Sequence, residues 1–158
     1  MDNKKIDYQQ IGFLDGEHPE NNIIYFLHKH AQFTPQKIAI KWADQKQVKA
    51  WDGSSRLHHQ SINYRDFVSL ISRLAAGFKN LGIDKGDRVI IFIPMSLNLY
   101  LAMFAVQRIG AIAVFLDSWA RKDHLGLCAK TAKPKAMISF EQAFGVCQGV
   151  EELNQIQH

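Results

Sequence analysis

Only two cysteines stand in the 158 residues, Cys128 and Cys147, and they form neither a Cys-x-x-Cys pair nor a disulfide framework. A disulfide-stapled secreted scaffold is excluded, and this usage fits a reducing compartment, so a cytoplasmic protein is expected. Met1–Gln10 has no apolar core to act as a signal peptide. Blocks of like charge are missing. The net charge of +4 comes from scattered positions such as Lys4-Lys5, Lys130, Lys133 and Lys135, which argues against a nucleic-acid partner. Long hydrophobic runs are missing too. Val89–Leu116 is rich in apolar residues, but Pro94, Ser96, Asn98, Gln107, Arg108 and Gly110 interrupt it. Its longest clean run, Leu99–Val106, is far short of the ~18 residues a membrane span needs. Arg108 alone would cost about 3 kcal/mol at a bilayer centre. No transmembrane segment is expected.

Common catalytic signatures are also absent. No Gly-x-Gly-x-x-Gly follows a strand, and there is no Gly-Lys-Ser/Thr loop, Gly-x-Ser-x-Gly elbow or His-Glu-x-x-His. His28 and His30 lie two apart on a predicted helix, so their side chains diverge by about 200° and make poor joint metal ligands. His58-His59 falls in a predicted strand, where neighbours point to opposite faces. Both pairs read as solvated or partly packed histidines.

What is present is the composition of a globular domain, 47% hydrophobic and 22% charged, in a chain long enough to bury a core. Met1–Asn21 is aperiodic and reads as a tail; residues 22–158 carry the structure. Asn22 can cap a helix to about Gln32 with Ile23, Phe26, Leu27 and His30 on one face, and Thr34-Pro35 ends it. Lys37–Ala43 alternates Ile38, Ile40 and Trp42 inward as a half-buried strand, with Arg56–Asn63 as its hairpin partner. Asp44–Lys49 between them is polar and exposed. Asn63, with Asp66 three residues on, caps the clearest helix, whose stripe is Phe67, Ile71, Leu74, Phe78 and Leu81. Gly82 is its left-handed stop, with Ile83 as the closing apolar contact.

Lys85-Gly86-Asp87 then turns into Val89–Ile93, apolar on both faces like an inner parallel strand. Ser96 caps a helix with apolar residues nearly all round, which predicts near-complete burial. Gly110 stops it, and Ala111–Leu116 reads as a further inner strand. A helix from about Arg121 to Thr131, a strand Lys135–Ser139 and a last helix in Phe140–Asn154 follow. The fold class is α/β: an incomplete doubly wound parallel sheet with flanking helices, preceded by a β-hairpin.

One loop carries chemical potential. Asp117-Ser118-Trp119-Ala120-Arg121-Lys122 follows the carboxyl end of a strand, where open α/β sheets bind ligands. An aromatic, two cations and a helix N-terminus suit a phosphate or an adenine. An ordinary strand–helix connector with Trp119 packed over the core is the alternative.

Two segments resemble motifs of the adenylate-forming enzymes. Ile62-Asn63-Tyr64-Arg65-Asp66-Phe67 matches their pattern Leu-Thr/Ser-Tyr-x-Glu-Leu. Arg108-Ile109-Gly110-Ala111-Ile112-Ala113-Val114-Phe115-Leu116-Asp117 resembles Lys-Ala-Gly-Gly-Ala-Tyr-Val-Pro-Leu-Asp, with Phe115 and Ser118 where proline is usual. Those departures lean toward acyl-CoA synthetases, including fatty-acyl types, and away from amino-acid-activating domains.

The resemblance implies ATP, Mg and coenzyme A as the parent enzyme's cofactors, and a small-molecule carboxylate, such as a fatty acid, as substrate. It implies that Asp117, Ser118, Trp119 and Arg121 face coenzyme A, and it assigns no catalytic or metal-binding residue here. The family's phosphate loop, adenine and ribose contacts and mobile lysine find no match in Met1–His158. An N-terminal fragment cut before the phosphate loop, inactive by itself, is therefore expected. A non-catalytic scaffold module of the same fold and an unrelated Rossmann-like nucleotide-binding domain are the alternatives. An unpaired sheet edge and an uncovered Leu97–Ile109 helix would favour self-association, as a homodimer in the simplest case.

Overall fold

The structure is a computed structural model that describes residues 22–54, 56–116 and 122–157. The tail expected at Met1–Asn21 lies outside the described residues. The chain divides into two units between Leu70 and Ile71.

In the first unit, the Asn22 side chain accepts the Ile24 N–H at 3.0 Å and opens helix α1, Ile23–Phe33. The helix ends at Thr34 as expected, but its buried residue is Ile24, while Ile23 and Phe26 are exposed. Strand β1, Ile38–Ala43, pairs antiparallel with β2, His59–Asn63. An irregularity between Ile38 and Ile40 breaks the expected alternation and leaves Ile38 exposed. Between the strands, the segment read only as polar forms a short helix, α2, Gln45–Ala50, because Asp44 accepts the Lys46 and Gln47 N–H groups at 2.8 and 3.3 Å.

Asn63 caps helix α3, Tyr64–Asn80, as expected: it accepts the Asp66 N–H at 2.9 Å while its own amide donates to the Asp66 carboxylate at 3.0 Å. Two more first-turn donors are satisfied by carbonyls from the preceding segment: Tyr64 N–H by Lys37 at 3.0 Å and Arg65 N–H by Pro35 at 3.1 Å. The His30 ring stacks on Tyr64 with centroids 4.7 Å apart, so one of the two paired histidines is a packing residue.

In the second unit, the buried side of α3 is Ile71, Ala75 and Phe78, whereas Leu81, expected to complete the stripe, is 51% exposed. The helix has already ended there. Gly82 takes φ +79°, and the N–H groups of Gly82 and Ile83 donate to Lys79 and Phe78 at 2.8 and 3.0 Å.

The sheet is three-stranded and parallel, in the order β4-β3-β5, with β3 Arg88–Phe92, β4 Ile112–Phe115 and β5 Ala136–Ser139. Only β3 is an inner strand among the described residues; Val89, Ile90 and Ile91 are wholly buried. The expectation that Ala111–Leu116 is inner is corrected: β4 is an edge, and Ile112 and Phe115 are half exposed. Ser96 caps helix α4, Leu97–Arg108, which ends at Gly110 with the same backbone bonds as α3: Gly110 to Gln107 at 3.0 Å and Ala111 to Val106 at 3.1 Å. Near-complete burial of α4 is not found. Only Ala102, Ala105 and Val106 are buried, and Phe104 is half-buried.

Helix α5, Lys122–Ala132, packs on the Ile90 and Phe92 face through Leu125 and Ala129. The single last helix expected in Phe140–Asn154 is instead broken into a 3-10 turn at Glu141–Ala143, helix α6 at Phe144–Cys147 and a second 3-10 turn at Glu151–Gln155. Gly145 and Gly149 weaken helix there by about 1 kcal/mol each. The pieces are nonetheless anchored: Ala143, Val150 and Leu153 join the same core cluster as Leu125.

Candidate functional site

The two ends of the parallel sheet do different work. At the amino end, the turn before β3 is clamped by charge. Lys135 Nζ donates to the Asp87 carboxylate at 2.8 Å and to the Gly82 carbonyl at 2.6 Å. The Asp84 N–H also donates to Asp87, at 2.7 Å. Arg88 reaches across to the Ala132 and Lys133 carbonyls and so caps the C-terminus of α5. Asp87 was legible only as a turn residue, because its cationic partner stands 48 positions away.

The Lys135 hydrogen bond, then the Asp84 N–H, hold the Asp87 carboxyl below its ordinary value against a smaller opposing effect of burial. A carboxylate lowered on folding contributes stability above its unfolded pKa and loses it as pH falls through the folded value. We predict that the wild type loses stability more steeply than Asp87→Asn as pH drops from about 4 downward. Parallel acid slopes in urea titrations would contradict this role for the clamp.

The carboxyl end is the candidate site. Register places Ile91 beside Phe115 and Phe92 beside Ser139, so the three strands finish together. From β3 the chain passes through Pro94 and Met95 into α4. There the Ser96 hydroxyl donates to the Pro94 carbonyl at 2.9 Å and accepts the Leu99 N–H at 3.4 Å. The apolar surface at this end includes Met95, 68% exposed, and Phe115. Phe92 and Phe140 pack with centroids 6.0 Å apart. Nearby, burial pushes the Cys147 thiol up from its ordinary value, so Cys147 is no activated nucleophile. Burial also pulls the Arg108 guanidinium at the end of α4 down to about 10, still charged at neutral pH.

The loop singled out in the sequence leaves β4 at this end and enters α5. Asp117, Ser118, Trp119 and Arg121 themselves lie outside the described residues. A groove of about 510 Å³ runs along the outer side of β5, lined by Phe78, Leu81, Ile83, Met137, Cys147 and Ile156 among others. No group of three His, Cys, Asp or Glu side chains among the described residues could hold a metal ion. Among the described residues, no helix is long and apolar enough to cross a membrane.

Comparison with known proteins defines the class. The family model described as AMP-binding enzyme matches residues 27–158. The acetyl-coenzyme A synthetase of Thiobacillus denitrificans is 44% identical over 101 residues, 63% of this chain and 13% of that protein. The acetyl-coenzyme A synthetase of Psychrobacter cryohalolentis is 32% identical over 136 residues, 86% of this chain and 19% of that protein. The N-terminal subdomain of Klebsiella oxytoca NpsA, in complex with 3-hydroxyanthranilyl-AMSN, superposes with a TM-score of 0.64 at 27% identity over 77% of this chain and 28% of that one. The N-terminal domain of FACL13 from Mycobacterium tuberculosis shares the fold, with a TM-score of 0.70 at 19% identity over 86% of this chain and 32% of that one.

The chain belongs to the AMP-binding enzyme family. It corresponds to an N-terminal part of the adenylate-forming fold and spans 13 and 19% of the two acetyl-coenzyme A synthetases.

Proposed function

We propose that this chain is the N-terminal portion of an ATP-dependent, AMP-forming acyl-CoA synthetase and that the 158 residues alone do not catalyse. In that reaction a carboxylate oxygen attacks the α-phosphorus of ATP, pyrophosphate leaves, and the thiol of coenzyme A then displaces AMP from the acyl-adenylate. The observation that carries the reading is 44% identity to an acetyl-coenzyme A synthetase over 101 residues. It also favours a short carboxylate over a fatty acid. Mg would act with ATP on parts of the enzyme other than the described residues. The loop Asp117, Ser118, Trp119 and Arg121 is proposed to meet the nucleotide end of coenzyme A, and the protein is proposed to work in the cytoplasm.

ATP–pyrophosphate exchange tests the reading. The purified 158-residue chain should show none above buffer with acetate, propionate or longer acids. The product of the complete reading frame should exchange best with the short acids. Robust exchange by the isolated chain would sink the first part; an inactive complete product would favour a non-catalytic scaffold of the same fold.

Self-association belongs to the same proposal. The outer side of β5 has no strand partner among the described residues, and apolar side chains line the groove beside it. Light scattering on the purified chain should report a dimer. A monomer at high micromolar concentration that binds no hydrophobic dye would refute it.

A further inference from the structure

We propose that the solvent face of the β1–β2 ribbon holds a binding cleft for a small, soluble, diphosphate-bearing anion. This site is independent of the ligase reading, because it lies wholly within the hairpin. Lys41 stands opposite Ser61, and Ala43 opposite His59. Residues two apart share a face, so Lys41 and His59 rise from the same side as diagonal neighbours. The other side carries Ile40, Trp42 and Ile62, all partly buried. His58 was expected on the face opposite His59. Instead β2 begins only at His59, so His58 is released from the alternation and both histidines line one cleft.

That cleft has a volume of about 640 Å³ and is lined by Lys41, Arg56, Leu57, His58 and His59. Its size falls within the roughly 300–1,000 Å³ of small-molecule sites. Of the five described residues that line it, four are cationic or become so on protonation, and none is a carboxylate. The acids of the connecting segment are committed elsewhere. Asp44 caps α2, and Asp52 accepts the Ser54 N–H and hydroxyl at 2.9 and 2.6 Å. Among the described residues, the side chains of Lys41, Arg56, His58 and His59 make no ion pair or hydrogen bond. Lys41 and Arg56 line the cleft without a carboxylate among the described residues, so a bound anion supplies the missing counter-charge. Arg56 supplies a planar fork suited to phosphate oxygens, and Lys41 a point charge. The concave shape favours a small anion over an extended polyanion or a membrane plane.

Inorganic pyrophosphate titrated into the purified chain, followed by the His58 and His59 ring resonances, tests the site. Saturable shifts with Kd near or below about 1 mM are expected. Arg56→Gln/His59→Gln should weaken binding at least about tenfold, and Lys41→Gln should weaken it as well. Unchanged circular dichroism would show that these exposed substitutions leave the fold intact, and Lys41→Gln alone decides if the double variant does not fold. Lys46→Gln/Lys49→Gln, outside the cleft, should bind as the wild type does. Non-saturating shifts, equal weakening by the Lys46/Lys49 pair, or attachment to phosphatidylglycerol vesicles without pyrophosphate binding would each overturn the proposal.

Discussion

Phe67→Ala is expected to destabilise the protein by about 3–5 kcal/mol, the usual cost of removing a fully buried aromatic side chain. Phe67 is 1% exposed and is the largest of the completely buried side chains. It sits in the first turns of α3, just beyond the Asn63–Asp66 cap, so its helix is already nucleated and its position is set by backbone bonds to Lys37 and Pro35 carbonyls through Tyr64 and Arg65. Neither the cap nor those bonds depend on the ring, so the loss reports packing and not helix formation. Urea unfolding should show a lower midpoint with an unchanged slope. The contrast with Phe104 sharpens the test. Phe104 also lies on an apolar helix but is only half-buried, so Phe104→Ala should cost clearly less. If the two substitutions cost the same, burial is not what separates them and the packing assignment fails.

Leu125→Ala should cost about 2–5 kcal/mol and should also loosen the C-terminal turns. Leu125 is wholly buried and lies in one cluster with Ile90 and Phe92 from the sheet and with Ala143, Val150 and Leu153 from the end of the chain. Close approach at the neighbouring residue shows how tightly these pieces meet: a Cβ added at Gly126 would stand 2.7 Å from a Glu152 carboxylate oxygen. The turns from Glu141 to Gln155 are short, separate pieces, so their order rests on this packing. Hydrogen exchange at the Val150, Leu153 and Ile156 amides should speed up in the variant along with the drop in global stability. Protection that survives intact would show that the turns hold themselves.

Helices α1, α3 and α4 and their ends were legible in the sequence because their determinants are local. Asn22, Asn63 and Ser96 each accept a first-turn N–H, and Gly82 and Gly110 each take the positive φ that ends a helix, as residue type alone predicts. Strand β1 was legible from alternation, β2 as its hairpin partner and β3 from a run apolar on both faces, and the two motifs from order and spacing. The family followed from those motifs and is shown by the match over residues 27–158.

Tertiary structure alone decided the rest. Apolar patterning says that a segment is buried but not which neighbour covers it. So β4 read as an inner strand and stands at an edge, and α4 read as enclosed and keeps most of its side chains half-covered. The Lys135–Asp87 and Arg88–Ala132 contacts join positions more than forty residues apart and leave no trace in spacing. The cleft of Lys41, Arg56, His58 and His59 was hidden by a single residue of register. A strand that starts at His58 sends the two histidines to opposite faces, whereas one that starts at His59 brings both to one cation-lined cleft. Side-chain period in a strand is two, so the choice between those outcomes belongs to the pairing with β1 and not to the residues themselves.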